Sequence, residues 1–234
     1  MQMVGELVEG QLVGRDNRFQ VTVQLGERQV WAHLPNPGRL GELLVPQRRV
    51  VVARRPGGKR KTGYDLCLVE MDGRWISVDA RLPNRLVAEA LTAGRLAPLA
   101  GYPAVRNEVP FGHSRLDFLL EAPERRPCLV EVKSVTLVVD GLGCFPDAVT
   151  LRGRRHVQEL AVAVAAGYRA VVIFVVQRED ALGLRPYHES DPDFARALGD
   201  AVQRGVEVYA YACHVEPGQV EISHQLPVCL DVNP

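Results

Sequence analysis

The chain has 234 residues, of which 47% are hydrophobic and 24% are charged, so it can bury a core and does not have the composition of a disordered protein. Its 28 basic and 28 acidic residues balance, which excludes a protein that is basic throughout but leaves room for a local basic surface. Apolar runs stay below the roughly 18 residues of a membrane span, the first residues do not resemble a secretory signal, and the five cysteines are scattered, so we expect a reduced, cytoplasmic protein without a membrane partner.

Short strands separated by turns are predicted for residues 1–80. Alternating or β-branched segments occur at 4–13, 19–25, 29–34, 49–54, 64–70 and 75–78. The breaks between them contain turn residues, and Asp72-Gly73 is typical of a hairpin. This pattern predicts an all-β domain, and the number of strands fits an oligonucleotide/oligosaccharide-binding (OB) barrel.

Helices and strands alternate in residues 81–234. Asn84 is predicted to cap a helix that ends at Gly94, and an Asp191-Pro192 pair is predicted to start another. A third helix is predicted over 151–166, and strands over 105–109, 115–120, 128–135, 169–176 and 206–212. The order of these elements predicts an α/β domain with a mixed sheet, so we expect two domains, 1–80 and 81–234.

Two predicted strands of the second domain carry charged side chains on one face. Asp117 lies in the first strand, and Glu131 and Lys133 share a face of the second. A hairpin loop centred on Glu124 would place Asp117 opposite Glu131, with Cβ atoms about 4.5–5.5 Å apart. Carboxylates this close repel each other unless a cation lies between them or one is protonated. A phosphodiester hydrolase typically holds Mg²⁺ or Mn²⁺ in such a site, here between Asp117 and Glu131 with Lys133 beside it. The structural alternative is an amphipathic hairpin in which Lys133 forms a salt bridge with one of the acids.

Seven basic residues and no acidic residue lie between positions 48 and 61. They are Arg48, Arg49, Arg54, Arg55, Lys59, Arg60 and Lys61. This density predicts contacts with the phosphates of DNA, and an exposed solubilising turn is the alternative. Four aromatic residues of the barrel are predicted to lie mainly in the core, with stacking on unpaired bases as the alternative. They are Phe19, Trp31, Tyr64 and Trp75.

A second basic cluster opens the helix predicted over 151–166. It contains Arg152, Arg154, Arg155 and His156. A helix N-terminus with arginines favours phosphate binding, so these residues are predicted to contact DNA. A general base and a structural histidine are the alternatives for His156.

Several motifs together resemble a known family. They are Phe-Gly-x-Ser-Arg-Leu-Asp from Phe111, Val-Glu-Val-Lys-x-Val-Thr-Leu from Val130, Phe-Pro-Asp-Ala-Val-Thr from Phe145, His-x-Pro-Asn-x-Gly from His33 and Leu-Pro-Asn-Arg-Leu from Leu82. The chain resembles the sugar fermentation stimulation protein family over almost its whole length, with Pro37 where that family usually has Thr. The resemblance implies an OB-like barrel joined to a restriction-endonuclease-like PD-(D/E)xK domain, DNA binding, and a role in regulating sugar-utilisation genes.

The same resemblance suggests site residues and two functions. Asp117, Glu131 and Lys133 match the PD-(D/E)xK motif, and Glu89 matches an acidic residue on the first helix of some such nucleases, with a solvated helix position as its alternative. A metal-dependent nuclease and a non-catalytic DNA-binding regulator on an inactive nuclease fold both remain open, while a sugar enzyme is suggested only by the family's name. The sequence does not give the form of the DNA or the oligomeric state, for which a homodimer is one alternative.

Overall fold

The structure, a computed structural model, describes residues 1–55 and 62–230, and its first part is a barrel. The strands are β1 (Leu7–Asn17), β2 (Gln20–Leu25), β3 (Arg28–His33), β4 (Arg49–Arg54), β5 (Tyr64–Met71) and β6 (Arg74–Ser77). The sheet has the order β3-β2-β1-β4-β5-β6, and a parallel pairing of β3 with β5 closes the first five strands. Alternate residues such as Val21 and Val23 point inward and are fully buried, so the predicted OB-like barrel is confirmed.

The second part is a mixed sheet with three helices. Its elements are α1 (Leu82–Thr92), a 3-10 helix (Ala97–Leu99), β7 (Ala104–Phe111), β8 (Ser114–Ala122), β9 (Arg125–Val135), β10 (Val138–Val139), β11 (Leu142–Phe145), α2 (Leu151–Ala165), β12 (Arg169–Val176), β13 (Gly183–Pro186), α3 (Pro192–Gln203), β14 (Glu207–Glu216) and β15 (Gln219–Leu226). The main sheet has the order β15-β14-β12-β9-β8-β7, in which β12 runs parallel to β9 and β14 and the outer pairs are antiparallel. The mixed sheet is therefore confirmed, whereas β10, β11, β13 and β15 were not predicted.

Both faces of the main sheet are covered. Val172 and Phe174 of β12 pack into the core under α2 and α3, whereas Val171 and Ile173 pack into the core that α1 and the barrel share. This alternation explains the continuous apolar run of β12, because each of its faces is buried. Among the described residues, no helix is long and apolar enough to cross a membrane, and the five cysteines are free.

A hydrogen-bond network connects the barrel to the strand that carries the candidate site. Gln177, which follows β12, is fully buried; its side chain accepts from Ser77 Oγ at 2.9 Å and donates to Ser134 Oγ at 2.9 Å. The backbone N–H of Ser77 also donates to the carbonyl of Gln177 at 3.0 Å. The last barrel strand is thereby held next to β9, one residue from Lys133.

Candidate active site

The predicted carboxylates meet at the β8–β9 hairpin. Phe118 pairs with Val130, which is the register predicted from the sequence. One residue before Phe118, Asp117 Oδ2 accepts a hydrogen bond from the backbone N–H of Val132 at 2.7 Å. The carboxylate of Asp117 therefore lies against β9 directly beside Glu131.

Glu131 is the centre of a buried charged cluster. Lys133 Nζ donates to Glu131 Oε1 at 2.6 Å, and His156 Nδ1 forms a short hydrogen bond with the same oxygen. Glu131 is 3% exposed, His156 2% and Lys133 9%. Within the described part of the chain, the other oxygen, Glu131 Oε2, is buried without a hydrogen-bond partner. A buried carboxylate oxygen is costly to leave unpaired, so this atom is the one in the cluster that could accept a further donor or a cation.

The tautomer of His156 follows from its second neighbour. Arg152 Nε lies 3.3 Å from His156 Nε2 and is always a donor, so Nε2 accepts. The proton of a neutral ring is then on Nδ1, from which it is donated to Glu131. His156 therefore orients Glu131, and a ring this deeply buried cannot reach a DNA phosphate at the surface as the sequence suggested.

The two carboxylates have opposite pKa shifts. Burial, followed by the charge of Glu131, raises the pKa of Asp117 to about 6. Burial also acts to raise the pKa of Glu131, but the hydrogen bond from His156 and the charge of Lys133 outweigh it and leave that pKa below its usual range. Glu131 is thus the ionised member of the pair, and Asp117 ionises against its repulsion near neutral pH.

Asn84 of α1 completes the surroundings of Asp117. Its side-chain amide donates to Asp117 Oδ1 at 2.6 Å. The predicted helix cap at Asn84 is wrong, because α1 begins at Leu82 and Arg81 occupies the cap position without a side-chain cap bond. The Leu-Pro-Asn-Arg-Leu motif was the only sequence signal for this residue, since the contact joins positions far apart in the chain.

Glu89 of the same helix does not reach the cluster. Its exposed side chain lies 2.8 Å from Arg95 and 3.7 Å from the amino group of Met1. Glu89 and Asn84 are five residues apart and so point to different sides of the helix. The structure therefore supports the solvated alternative for Glu89.

The donor set fits a hard divalent cation. Asp117 and Glu131 are adjacent carboxylates. Glu131 has a buried oxygen without a partner among the described residues, and the ionisation of Asp117 is opposed by burial and by the charge of Glu131. Mg²⁺ uses one or two carboxylates and keeps several waters, which matches such a pair. Within residues 1–55 and 62–230, no group of three or more His, Cys, Asp or Glu side chains is arranged to hold a metal, so the other ligands would be water, backbone or substrate oxygens.

A cleft of ≈ 250 Å³ lies beside Lys133. The barrel turn 36–38 forms one wall and the segment 144–150 forms the other. Asp147, the aspartate of the Phe-Pro-Asp-Ala-Val-Thr motif, connects these walls, because its Oδ2 accepts from the backbone N–H of Arg39 at 2.8 Å. The cleft is therefore shaped by both parts of the chain.

The basic cluster at 48–61 is less positive in three dimensions than in the sequence. The described ion pairs are Arg49–Glu9 at 2.8 Å, Arg54–Glu6 at 3.2 Å and Arg55–Asp65 at 3.1 Å. Arg48 is half-buried, and its Nη1 has no hydrogen-bond partner among the described residues. The three remaining positions lie outside the described residues; they are Lys59, Arg60 and Lys61. Acidic residues of β1, of β5 and of the segment just before β1 thus offset most of the described charge.

The arginines at the start of α2 differ from one another. Arg152 and Arg155 are exposed, while Arg154 lies 3.2 Å from Asp191 and 2.8 Å from Asp193. Arg154 therefore links α2 to the start of α3. The predicted cap of α3 is confirmed, because the backbone N–H of Phe194 donates to the Asp191 side chain at 3.0 Å. Phosphate contact stays a prediction for Arg155 and for the terminal nitrogens of Arg152, whose Nε donates to His156.

Comparison with known proteins places this architecture in one family. Residues 13–78 match the family model described as the SfsA N-terminal OB domain, and residues 81–219 match the model described as the Sugar fermentation stimulation protein RE domain. The chain belongs to the sugar fermentation stimulation protein family. The resemblance seen in the sequence is thus confirmed.

Other members of the sugar fermentation stimulation protein family match along nearly the whole chain. The homolog from Moorella thermoacetica is 47% identical over 95% of this chain and 96% of its own length. The homolog from Symbiobacterium thermophilum is 46% identical over 92% of each chain. The solved structure of Pyrococcus furiosus SfsA in complex with Ca²⁺ is 32% identical and has a TM-score of 0.90 over 97% of both chains. The barrel and the mixed sheet are therefore shared with a family member of known structure.

Proposed function

We propose that this protein is a divalent-metal-dependent phosphodiesterase that acts on DNA. The observation that carries the proposal is the buried Glu131 Oε2, which has no hydrogen-bond partner among the described residues and lies beside Asp117. Burial and the charge of Glu131 raise the pKa of Asp117 to about 6. Both features are unfavourable in the protein alone, and a cation held by the two carboxylates would offset both costs. Lys133, at the edge of the cleft, supplies the positive charge that a phosphodiester site needs.

The nature of the metal is supported by a relative. The Pyrococcus furiosus family member was solved in complex with Ca²⁺. Mg²⁺ and Mn²⁺ prefer the same oxygen ligands and are the ions we propose for catalysis. Asp117 and Glu131 would hold the ion, which would activate a water and neutralise charge on the phosphate.

The chain's own residues position these groups. Asn84 and the backbone N–H of Val132 hold the two oxygens of Asp117, and His156 holds one oxygen of Glu131. Lys133 lies beside the cleft, where its ammonium can stabilise charge that develops on the transferring phosphate. The site is thus ordered before substrate binds.

One observation favours a second function, a non-catalytic DNA-binding regulator. Lys133 and His156 both bond to Glu131 Oε1, so two members of the cluster already have partners in the protein. A buried ion pair of this kind can be purely structural. The experiment must therefore separate DNA binding from cleavage.

The test uses the full chain with end-labelled single-stranded, duplex and branched DNA. Each form is incubated with Mg²⁺, Mn²⁺, Ca²⁺ or EDTA, and cleavage and binding are measured in parallel. We expect cleavage of at least one form with Mg²⁺ or Mn²⁺, its loss in EDTA, and its loss in Asp117→Asn. Glu89→Gln, which removes a carboxylate from the exposed face of α1, is the matched control and should cleave normally. Binding without cleavage under every condition would support the regulator instead.

A further inference from the structure

Two aromatic side chains of the barrel are exposed. Trp31 is 55% exposed and Phe19 is 47% exposed. Tyr64 is buried and Trp75 packs against the core, as the sequence predicted. The core prediction is wrong for Trp31 and Phe19, which offer their rings to solvent on the outside of the barrel.

These rings form a row with His33. Trp31 and His33 are two residues apart on β3 and so point to the same face of the sheet. The rings of His33 and Phe19 lie 6.5 Å apart between centroids. We call Trp31, His33 and Phe19 the aromatic row; it runs along the outer face of β3 to the turn between β1 and β2.

The surface beside Trp31 is open. Trp31 pairs with Thr22 of β2, and Thr22 pairs with Gly14 of β1. A Cβ atom added at Gly14 would meet no heavy atom within 4 Å. Small residues therefore flank the indole, and a planar group can lie against its face.

A positive charge connects the aromatic row to the cleft. The guanidinium of Arg18 lies 5.4 Å from the centre of the Phe19 ring, and Arg18 lines the same cleft as Lys133. Arg18 has no ion pair within residues 1–55 and 62–230. Asp16, which accepts from Thr22 Oγ1 at 2.9 Å, is an acidic side chain on this face and repels phosphate there. A nucleic-acid backbone would therefore pass on the Arg18 side of the row.

We propose that the aromatic row binds unpaired bases of single-stranded DNA, whose backbone passes Arg18 to reach the cleft. The inference rests on the proposed function, because it names the substrate class of that site. Exposed rings at the edge of a cationic groove are the means by which single strands are bound without sequence preference. The bases of an intact duplex already stack on one another, so duplex DNA gains little from these rings.

Fluorescence tests this directly, since the chain has two tryptophans. Trp75→Phe leaves Trp31 as the single reporter and changes a residue that packs against the core rather than the row. Titration of this variant with oligo-dT in EDTA, where no cleavage occurs, should quench Trp31 emission, and blunt duplex at equal nucleotide concentration should not. In the wild-type background, Trp31→Ala should weaken oligo-dT binding by about 5- to 150-fold in an anisotropy assay.

Further variants separate stacking on the rings from a general loss of folding or of exposed apolar surface. Phe19→Ala should weaken binding in the same direction, while Val162→Ala, which trims an exposed apolar residue of α2, should leave it unchanged. Far-UV circular dichroism and melting temperature are recorded for each variant, so that a folding defect is recognised. If Trp31→Phe, which keeps a ring, binds as weakly as Trp31→Ala, or if single strands and duplex bind with equal affinity, the inference is overturned whether or not the protein cleaves DNA. Quenching by oligo-dT together with an absence of cleavage would support the inference and overturn the proposed function alone.

Discussion

Replacing Asp117 with asparagine should change the stability of the metal-free protein in a pH-dependent way. Burial and the charge of Glu131 raise the pKa of Asp117 to about 6, against an ordinary value of 3.8. A carboxyl group whose pKa is raised by folding contributes stability below its unfolded pKa, and this contribution is lost as the pH rises through the folded pKa. At 1.36 kcal/mol for each pKa unit, ionised Asp117 costs the fold about 3 kcal/mol near pH 8.

Asparagine removes this ionisation but has one acceptor oxygen in place of two. The donors from Asn84 and Val132 then compete for it, and the one left without an acceptor costs about 1–3 kcal/mol at every pH. The variant should therefore be the less stable protein near pH 4 and equal to or more stable than the wild type near pH 8. The difference in unfolding free energy between the two should shift by about 2–3 kcal/mol over this range.

Urea denaturation at steps between pH 4 and pH 8, in EDTA, measures this difference. The lowered pKa of Glu131 contributes stability that is present above its unfolded pKa and lost as the pH falls, but both proteins contain Glu131, so subtraction removes most of it. Glu89→Gln, at an exposed ion pair, should show a nearly constant difference. A difference between Asp117→Asn and wild type that stays constant with pH would refute the reasoning, because Asp117 would then ionise without opposition and a metal would have no repulsion to relieve.

The remaining predictions concern the parts that shape the site. Gln177→Leu should lower the unfolding free energy by about 1–3 kcal/mol for each hydroxyl that it leaves unpaired, measured by urea denaturation. Gly38→Ala would place a Cβ atom 2.5 Å from Asp147 Oδ2, so it should lower the melting temperature by displacing the carboxylate that joins the cleft walls. If Arg54 contacts phosphate, Arg54→Ala should reduce the salt slope of duplex binding by about 0.9, and Glu6→Gln, which frees Arg54 from its ion pair, should strengthen binding at low salt. An unchanged salt slope in both variants would show that the barrel surface around Arg54 and Glu6 does not contact DNA.

Local patterns predicted the elements that carry the site. The β8–β9 register could be read from the sequence because a short loop between two strands fixes which residues face each other. The buried strand β12 was visible as an apolar run, and the start of α3 as an Asp-Pro pair. These features depend on neighbours in the chain.

Contacts between distant segments could not be predicted in the same way. Asn84 reaches Asp117 only because α1 packs on the sheet, and the acids that pair with the basic cluster come from β1, from the segment just before it and from β5. The exposure of Trp31 did have a signal, because its strand alternates and Trp31 shares a face with polar Gln29 and His33. The general tendency of large aromatic residues to be buried predicts a core position for Trp31. The alternation along β3 predicts the exposed position that is observed.

Lys133 offers the most direct test of the claim that this cluster hydrolyses phosphodiesters. Binding and single-turnover cleavage are measured at saturating DNA with Mg²⁺ or Mn²⁺ for wild type, Lys133→Ala and Lys133→Gln, the last of which keeps a donor for Glu131 without the charge. We expect both variants to fold and to bind DNA nearly as well as wild type, and to cleave it about 10²–10³-fold more slowly, since the ammonium acts mainly on the transition state. Lys133→Arg should also be impaired, because a planar guanidinium does not replace a compact charge in a crowded site. Wild-type protein that cleaves no form of DNA with either metal, while Lys133→Gln folds and binds normally, would contradict the account and make the Glu131–Lys133 pair a structural ion pair in a DNA-binding protein.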